Sequence, residues 1–297
     1  MAEKDFAIVC DDTCDLSEGF LGKARVRLVR PDGPGAAAAL EGAYRALAED
    51  GFAHVVSIHS SASFSPVVLD ARAAAASCED VVDVRVVDSG AASAATGMLI
   101  DRAARYRHLG VAFEDAVAGL EALASHVRLL VVPAPSSRLA ASRRSHRTRG
   151  GLIGRAAATL RVRMTGERGL YLLSQGNVTQ LARNNDVEVL ARRLARAVAA
   201  VSENEGSLVH ALTASKNVRA LRAVERALAE SGAVTRCLGT VHTSALTEET
   251  FGQGSVAVAM APESVYCRDE AALAGLGSRD AAPTGIDEQN EQNRRIP

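Results

Sequence analysis

Short apolar runs rich in valine and isoleucine alternate along this chain with longer segments rich in alanine and leucine. The short runs predict β-strands at 6–10, 25–29, 54–58, 82–88, 128–132, 170–174, 207–213 and 255–261. The longer segments predict helices near 36–49, 66–77, 91–109, 113–125, 186–203 and 217–231. This alternation predicts an α/β protein with a largely parallel sheet, in which a ligand would lie at the carboxyl ends of the strands.

The segment 133–169 differs in composition from the elements on either side, with nine arginines and a single acid, Glu167. We therefore predict an N-terminal α/β domain at 1–145 and a C-terminal α/β domain at 146–265. The basic segment 138–168 is open to three interpretations: a solvated pair of helices between the domains, a docking surface for an acidic partner or a phosphate, or an RNA-binding surface, against which the lack of interleaved aromatics argues. Residues 266–297 lose apolar periodicity, which predicts a disordered tail.

The composition argues against several classes of protein. The 297 residues are 47% hydrophobic, which is enough for one large domain or two ordinary ones. A formal net charge of −1 and the absence of tryptophan argue against a nucleic-acid-binding protein. Apolar runs stay below the roughly 18 residues of a membrane span, and the charged start lacks a signal-peptide core, so we expect a cytoplasmic protein. The five cysteines match no zinc spacing and are predicted to be reduced thiols.

Serines cluster where the third predicted strand meets the helix that follows it. The stretch HSSASFSP places Ser60, Ser61, Ser63 and Ser65 there. Ser65 before Pro66 is a strong helix-start signal, because serine is a preferred N-cap and proline a preferred first helical residue. Ser65 could cap the helix alone, or also bind a carboxylate that approaches the free N–H groups of the first turn. The cluster therefore predicts a small site for an acidic head group.

Other strand ends also carry polar residues. They are Asp11, Asp12, Thr13 and Asp15 after the first strand, Asp88, Ser89 and Gly90 after the fourth, and Thr250, Gly252 and Gly254 before the last. The three aspartates after the first strand could hold a metal ion or serve as turn and capping residues. Walker A, dinucleotide and G-x-S-x-G motifs are incomplete or missing. An enzyme would need His59 or His242 within hydrogen-bond reach of a serine hydroxyl, although His59 can equally be a packed side chain.

Five stretches resemble, in the same order, the motifs of DegV-family proteins. FAIVCDDTCDL resembles their D-S-T-x-D-L opening with Asp12 in place of serine, and HSSASFSPVVLDA resembles S-S-x-x-S-G-T-x-x-S-A, with Ser65 matching the serine before the glycine. VRVVDSG matches a V-D-S strand end. RGGLIGRAAATL is similar to K-G-G-R-I-S-x-A-A-A-x-L with Leu152 replacing the arginine. GQGSVAVAM matches the end of an H-T-G-P-G motif, with Thr250 and Phe251 replacing His-Thr.

The chain is thus identified as a divergent member of that family over residues 5–262. The resemblance implies two α/β domains that bury one long-chain fatty acid between them, a parallel-sheet N-terminal domain, and a carrier rather than an enzyme. It also implies a partner, a fatty acid kinase that makes an acyl phosphate for phospholipid synthesis and could dock on the basic segment 138–168. We expect no cofactor and no metal. The predicted head-group residues are Ser65, Ser61, Ser63, Thr250 and Gly252.

Three departures from the family pattern support an alternative. The T-S-Q-P segment is absent, with RPDGPG near its place, the family's histidine is not at its usual position, and the arginine is lost at Leu152. The alternative is a degenerate DegV-like binding or regulatory protein without a lipid ligand. A buried acyl chain contributes roughly 0.8 kcal/mol per CH₂, so a long chain could still bind to a depleted head-group site.

Overall fold

The computed structural model describes residues 6–30, 36–135, 137–139 and 166–267. The strands within these ranges are β1 (Ala7–Asp11), β2 (Val26–Val29), β3 (His54–His59), β4 (Asp83–Asp88), β5 (Arg128–Val132), β6 (Arg168–Ser174), β7 (Asn177–Asn184), β8 (Leu208–Ala214), β9 (Thr235–His242) and β10 (Val256–Pro262). The helices are α1 (Glu18–Lys23), α2 (Ala37–Glu49), α3 (Val67–Ala76), α4 (Ala94–His108), α5 (Phe113–His126), α6 (Val187–Glu205), α7 (Val218–Ala229), α8 (Ala245–Phe251) and α9 (Glu263–Tyr266). A 3₁₀ turn, Asp12–Cys14, follows β1.

Every strand and helix predicted from the apolar pattern is present, with its ends shifted by a few residues. The pattern missed β7 and β9 and the short helices α1, α8 and α9. In β7 exposed and half-buried residues alternate, so it has no continuous apolar run. In β9 the charged Arg236 and the strand-disfavouring Gly239 interrupt the apolar run.

The first sheet has the order β2-β1-β3-β4, and all its neighbouring strands are parallel. β1 is buried along its whole length, as expected for a parallel strand with helices on both faces. On one face α2 and α3 pack around Tyr44, Val55 and Ala71. On the other face lie α4 and α5. The parallel sheet predicted for the N-terminal half is confirmed.

The second sheet has the order β7-β6-β5-β10-β8-β9 and is mixed. β10 is antiparallel to both β5 and β8, while β8 and β9 are parallel. The largely parallel arrangement therefore does not extend to this half. One reason is the two-residue turn between β6 and β7, where Gln175 and Gly176 both have positive φ (49° and 74°). Such a turn makes a tight hairpin, which pairs its strands antiparallel.

The predicted domain boundary at 145 stays a prediction. β5 lies before it in the chain yet pairs with β6 and β10 of the second sheet. The chain thus passes from one sheet to the other between α5 and β5. Tyr266, which we assigned to the tail, is buried in α9, where its hydroxyl donates to Asp101. Residues 268–297 of the predicted tail lie outside the described residues.

Helix α4 lies between the two sheets and contacts β1 and β3 on one side and β5, β8 and β10 on the other. Its residues from Ala94 to Ala103 are all buried, and one apolar core continues through it from the first sheet to the second. Gly97 allows the closest approach, because a Cβ there would lie 3.0 Å from the carbonyl oxygen of Cys14. The N-terminal end of α4 is therefore packed against the turn that follows β1.

Candidate functional site

The serine loop, residues 60–65, connects the carboxyl end of β3 to α3. Ser61 is buried, and its N–H donates to the carbonyl oxygen of Ala91 at 2.8 Å. Its hydroxyl oxygen accepts hydrogen bonds from the N–H and the hydroxyl of Ser63, at 3.3 and 3.2 Å. Because Ser61 is the acceptor in both bonds, its own proton can be donated to a further acceptor. Ser63 is exposed.

Ser65 occupies the position that the sequence predicts for a helix cap. It is half-buried, and its hydroxyl oxygen accepts a bond from the N–H of Val67 at 3.4 Å. The carbonyl oxygen of Pro66 accepts from the N–H of Leu69 at 2.8 Å, so the helical turn begins with the proline. A bond of 3.4 Å is long for this donor and acceptor, and a hydroxyl held so weakly can turn toward a ligand.

Thr250 and Gly252 lie at the C-terminal end of α8, where Thr250 is half-buried. Gly252 has a φ of 79°, and a Cβ there would lie 2.6 Å from the Cβ of Ala134. Only glycine satisfies both conditions without strain. Between them, Phe251 packs against Phe64 of the serine loop with ring centroids 5.1 Å apart. This aromatic contact joins the two sequence segments that carry the five predicted head-group residues.

A chain of buried hydroxyls lies beside the serine loop at the N-terminal end of α4. Thr13 Oγ1 donates to Ser60 Oγ at 2.8 Å, and Ser60 Oγ lies 3.0 Å from Thr96 Oγ1. Thr96 Oγ1 in turn lies 2.9 Å from Ser89 Oγ. Polar residues that follow different strands in the sequence therefore form one hydrogen-bonded network in the structure.

Asp15 is a buried carboxylate that connects the two sheets. Its Oδ2 accepts from Ser93 Oγ at 2.5 Å, and its Oδ1 accepts from the N–H of Ser244 at 2.7 Å and from Thr247 Oγ1 at 2.8 Å. Ser93 also lies 3.0 Å from Thr213 Oγ1 of β8. Burial raises the pKa of Asp15 to about 6, although the bonds from Ser93, Ser244 and Thr247 lower it. Sequence reasoning treated Asp15 as a turn residue or a metal ligand and missed this role.

A second buried relay lies on the opposite face of the first sheet. Asp11 Oδ2 is 2.6 Å from His59 Nδ1, His59 Nε2 is 2.8 Å from Ser57 Oγ, and the hydroxyl of Tyr44 donates to Ser57 Oγ at 2.7 Å. Burial would raise the pKa of Asp11, but the hydrogen bond and charge of His59 and the bonds from Thr13 hold it below its ordinary value. Burial raises the pKa of Tyr44 to about 12.

The enzyme alternative required a histidine close to a serine hydroxyl, and His59 meets that distance with Ser57. Ser57 is nevertheless fully buried within the sheet and is also bonded to Tyr44. His242, the other candidate base, is exposed. The relay orders Asp, His and Ser as hydrolases do, but it presents no exposed nucleophile.

The three aspartates after β1 point to different partners. Asp11 binds His59, Asp12 binds Arg30 at 2.9 Å, and Asp15 binds the hydroxyls described above. Among the residues that the structure describes, no group of three His, Cys, Asp or Glu side chains could hold a metal ion.

Most of the basic segment 138–168, including Leu152, lies outside the described residues. At its start, Arg138 Nη1 lies 3.3 Å from the carboxylate of Glu249 on α8. At its end, Arg168 Nη1 donates to the carbonyl oxygen of Gly254 at 2.9 Å, and burial lowers the pKa of this half-buried arginine. Both described ends of the segment therefore contact the chain around α8.

A cleft of about 710 Å³ is lined by the C-terminal half of α3 and the first residues of β4. That is the opposite end of the first sheet from the serine loop, so this cleft is not part of the predicted site. In the described part of the chain, no helix combines the length and the apolar character needed to cross a bilayer.

The fold and site together define a class: an α/β protein in which a parallel sheet and a mixed sheet enclose a central helix, with a hydroxyl-rich junction between them. A model of the DegV family, described as one of uncharacterised proteins, matches residues 35–263. The chain therefore belongs to the DegV family, and the family resemblance seen in the motifs is confirmed. Among curated protein sequences, no relative matches significantly.

Solved structures support the two-domain fold. A fatty-acid-binding DegV-family protein from Thermus thermophilus is 22% identical, covers 87% of this chain and 99% of its own, and has a TM-score of 0.71. A stearic-acid-binding protein from Eubacterium ventriosum is 19% identical over 87% of this chain and 98% of its own, with a TM-score of 0.67. DegV from Bacillus subtilis, described as a fatty acid binding protein, is 16% identical over 88% of this chain and 100% of its own, also at 0.67.

Proposed function

We propose that this protein binds one long-chain fatty acid, with the carboxylate at the junction of the serine loop and α8 and the acyl chain between the two sheets. The observation that supports the proposal is the Phe64–Phe251 contact, which joins the serine loop to the C-terminal end of α8. Relatives with the same fold are described as fatty-acid-binding proteins, which supports this ligand class.

The chemistry of the junction suits a carboxylate. A buried ionised carboxylate needs hydrogen bonds, and each charge-assisted bond contributes about 1.5–3 kcal/mol. Ser61 has a proton to donate, and the Ser65 hydroxyl accepts a single long bond within the described chain, from the N–H of Val67. Thr250 stands where the family motif has histidine, so a neutral hydroxyl replaces a group that can be charged. We therefore expect tight binding to depend mainly on the acyl chain.

We further propose that the protein carries the acid and does not convert it, since the only serine bonded to His59 in the described chain is buried. Presentation of the carboxylate to a fatty acid kinase belongs to the same proposal and is supported by the family resemblance. Docking of that kinase on 138–168 is supported by the charge of the segment.

Native mass spectrometry of the protein purified from a bacterial host tests the ligand directly, with extraction and identification of any bound lipid. We expect one fatty acid per chain. A protein that is empty and also fails to bind added C14–C18 acids would refute the carrier function. It would favour the alternative, a DegV-like binding or regulatory protein without a lipid ligand.

Replacing Ser65 by alanine should weaken fatty acid binding about tenfold, which corresponds to one lost hydrogen bond to a charged group. Loss of the cap should lower the free energy of unfolding by about 1 kcal/mol. Calorimetric titration with palmitate and denaturant unfolding would measure the two effects. Ser77→Ala, at the other end of α3, is the matched control because the Ser77 hydroxyl bonds, among the residues that the structure describes, only to the carbonyl oxygen of Ala73. Unchanged affinity in a folded Ser65→Ala variant would remove Ser65 from the head-group site.

A further inference from the structure

Asp15 lies outside the set of head-group residues, yet it contacts the helix that carries two of them. Its carboxylate accepts hydrogen bonds from Ser244 and Thr247, at the start of α8. Thr250 and Gly252 lie at the other end of the same short helix. Whatever fixes α8 therefore also fixes where Thr250 and Gly252 lie relative to the serine loop.

Helix α8 buries a single face. Thr247 and Phe251 are its two fully buried side chains and lie one turn apart, so they point the same way. Thr247 binds Asp15 at one end of this face, and Phe251 packs on Phe64 at the other. The opposite face, with Leu246 and Glu249, is exposed.

The backbone at Asp15 and at its partner Ser93 adopts an uncommon conformation. Asp15 itself has a φ of 58° and Ser93 also has a φ of 58°, a conformation that a residue with a Cβ adopts only when its surroundings impose it. The N–H of Ser93 donates to the carbonyl oxygen of Thr13 at 3.0 Å, and Gly97 packs against Cys14. Asp15 and Ser93 are thus held in strained conformations, and in this arrangement the Asp15 carboxylate contacts α8.

We propose that Asp15 is a positioning residue of the head-group site: it fixes α8 against the N-terminal end of α4, and thereby brings Thr250 and Gly252 to the serine loop. The bound fatty acid is released when α8 separates from Asp15. The proposal rests on the proposed fatty-acid-binding function for its ligand, but the fixing of α8 is a property of the free protein.

The contact should strengthen as the pH falls. Asp15 takes up its proton at about pH 6 when α8 covers it, and near its ordinary value of about 4 when α8 has separated and water reaches it. The covered state therefore binds protons more readily, and by linkage low pH favours it. From pH 7.5 to pH 5.0 the equilibrium should shift toward the covered state by about tenfold.

Other titratable groups on the elements around Asp15 already have partners or are exposed. On β1 and the 3₁₀ turn Asp11 binds His59 and Asp12 binds Arg30, while on α8 Glu248 binds the hydroxyl of Ser215 at 2.8 Å. The first two turns of α4 and the nearby end of β8 contribute hydroxyls and apolar groups only. The remaining titratable groups are Cys10 and Cys14, which are buried in the core, and His242 and Glu249, which are exposed.

The test combines two measurements on the full chain, Asp15→Asn, Asp15→Ala and the control Asp12→Asn. The first is hydrogen exchange of the amides at 244–252 without ligand, corrected for the intrinsic effect of pH. The second is the dissociation rate of a fluorescent C18 acid, cis-parinaric acid, at pH 5.0 and 7.5. Asp15→Asn keeps an oxygen for Ser244 and Thr247 but removes the ionisation, so it should fold and bind while losing the pH dependence.

In the wild type and in Asp12→Asn we expect exchange at α8 and acid release to be about tenfold slower at pH 5.0 than at pH 7.5. In Asp15→Asn the exchange rates at the two pH values should be the same, and acid release should keep only the pH dependence of the fatty acid's own carboxylate. In Asp15→Ala, exchange should rise at α8 more than in α6, which does not contact Asp15. Wild-type pH dependence in Asp15→Asn, or unchanged protection of α8 in Asp15→Ala, would overturn the proposal. A wild type that binds no acid would refute the proposed function, whereas the exchange data decide separately whether Asp15 fixes α8.

Discussion

Replacement of Asp11 by alanine is expected to lower the free energy of unfolding by about 3–5 kcal/mol, because it leaves two buried hydrogen-bond donors without their acceptor at a cost of about 1–3 kcal/mol each. Asp11 and His59 are both almost fully buried, with 2.6 Å between Oδ2 and Nδ1. The variant would leave the ring N–H of His59 and the N–H of Thr13 without their acceptor. Urea or guanidinium unfolding followed by circular dichroism would measure the change.

Asp12→Ala is the matched control, one residue further along the same turn. Its carboxylate pairs with Arg30 at the surface, where solvent screens the interaction, so we expect no resolvable change in stability. An equal effect of the two substitutions would mean that the turn itself, and not the Asp11–His59 pair, determines stability.

The same two aspartates predict opposite responses to acid. The pKa of Asp11 is lowered in the folded state, so its contribution to stability is complete above about pH 4 and is lost as the pH falls through the lowered value. The pKa of Asp15 is raised to about 6, so its contribution is complete below about pH 4 and is lost as the pH rises toward 6. Asparagine resembles the protonated side chain, so both variants should match the wild type best at low pH and deviate from it as the pH rises. Unfolding curves should show Asp11→Asn becoming less stable than the wild type and Asp15→Asn becoming more stable.

The first sheet could be predicted from sequence because parallel strands covered on both faces are continuous apolar runs, as in β1 and β3. The serine loop could be predicted because capping is local: Ser65 bonds to the N–H of Val67, two residues away. The mixed pairing in the second sheet could not be predicted, because the antiparallel partners β5 and β10 are more than a hundred residues apart. An apolar strand sequence is also compatible with parallel and with antiparallel pairing.

The role of Asp15 had no local signal either. Its partners are Ser93, which is 78 residues away, and Ser244 and Thr247, which are more than 220 residues away. A hydrogen bond between such distant residues depends on how the two sheets meet through α4, and no periodicity encodes that. The D-S-T-x-D-L motif indicated that Asp15 is part of the opening pattern, without indicating what it contacts.

Replacing Phe251 by alanine should have the second large effect. Phe251 is fully buried, and removing a buried phenylalanine side chain typically lowers the free energy of unfolding by about 3–5 kcal/mol. The variant also removes the contact with Phe64, so the serine loop and the end of α8 would no longer be held together. We expect affinity for palmitate to fall by more than tenfold, measured by calorimetric titration under conditions in which the variant is folded.

Phe64→Ala separates the two effects, because Phe64 is only half-buried and its loss should cost less stability. If the aromatic contact organises the head-group site, both variants should lose affinity to a similar extent although they differ in stability. If only Phe251→Ala loses affinity, the loss follows from damage to the core. In that case the serine loop would bind the carboxylate without α8, and Thr250 and Gly252 would no longer belong to the site.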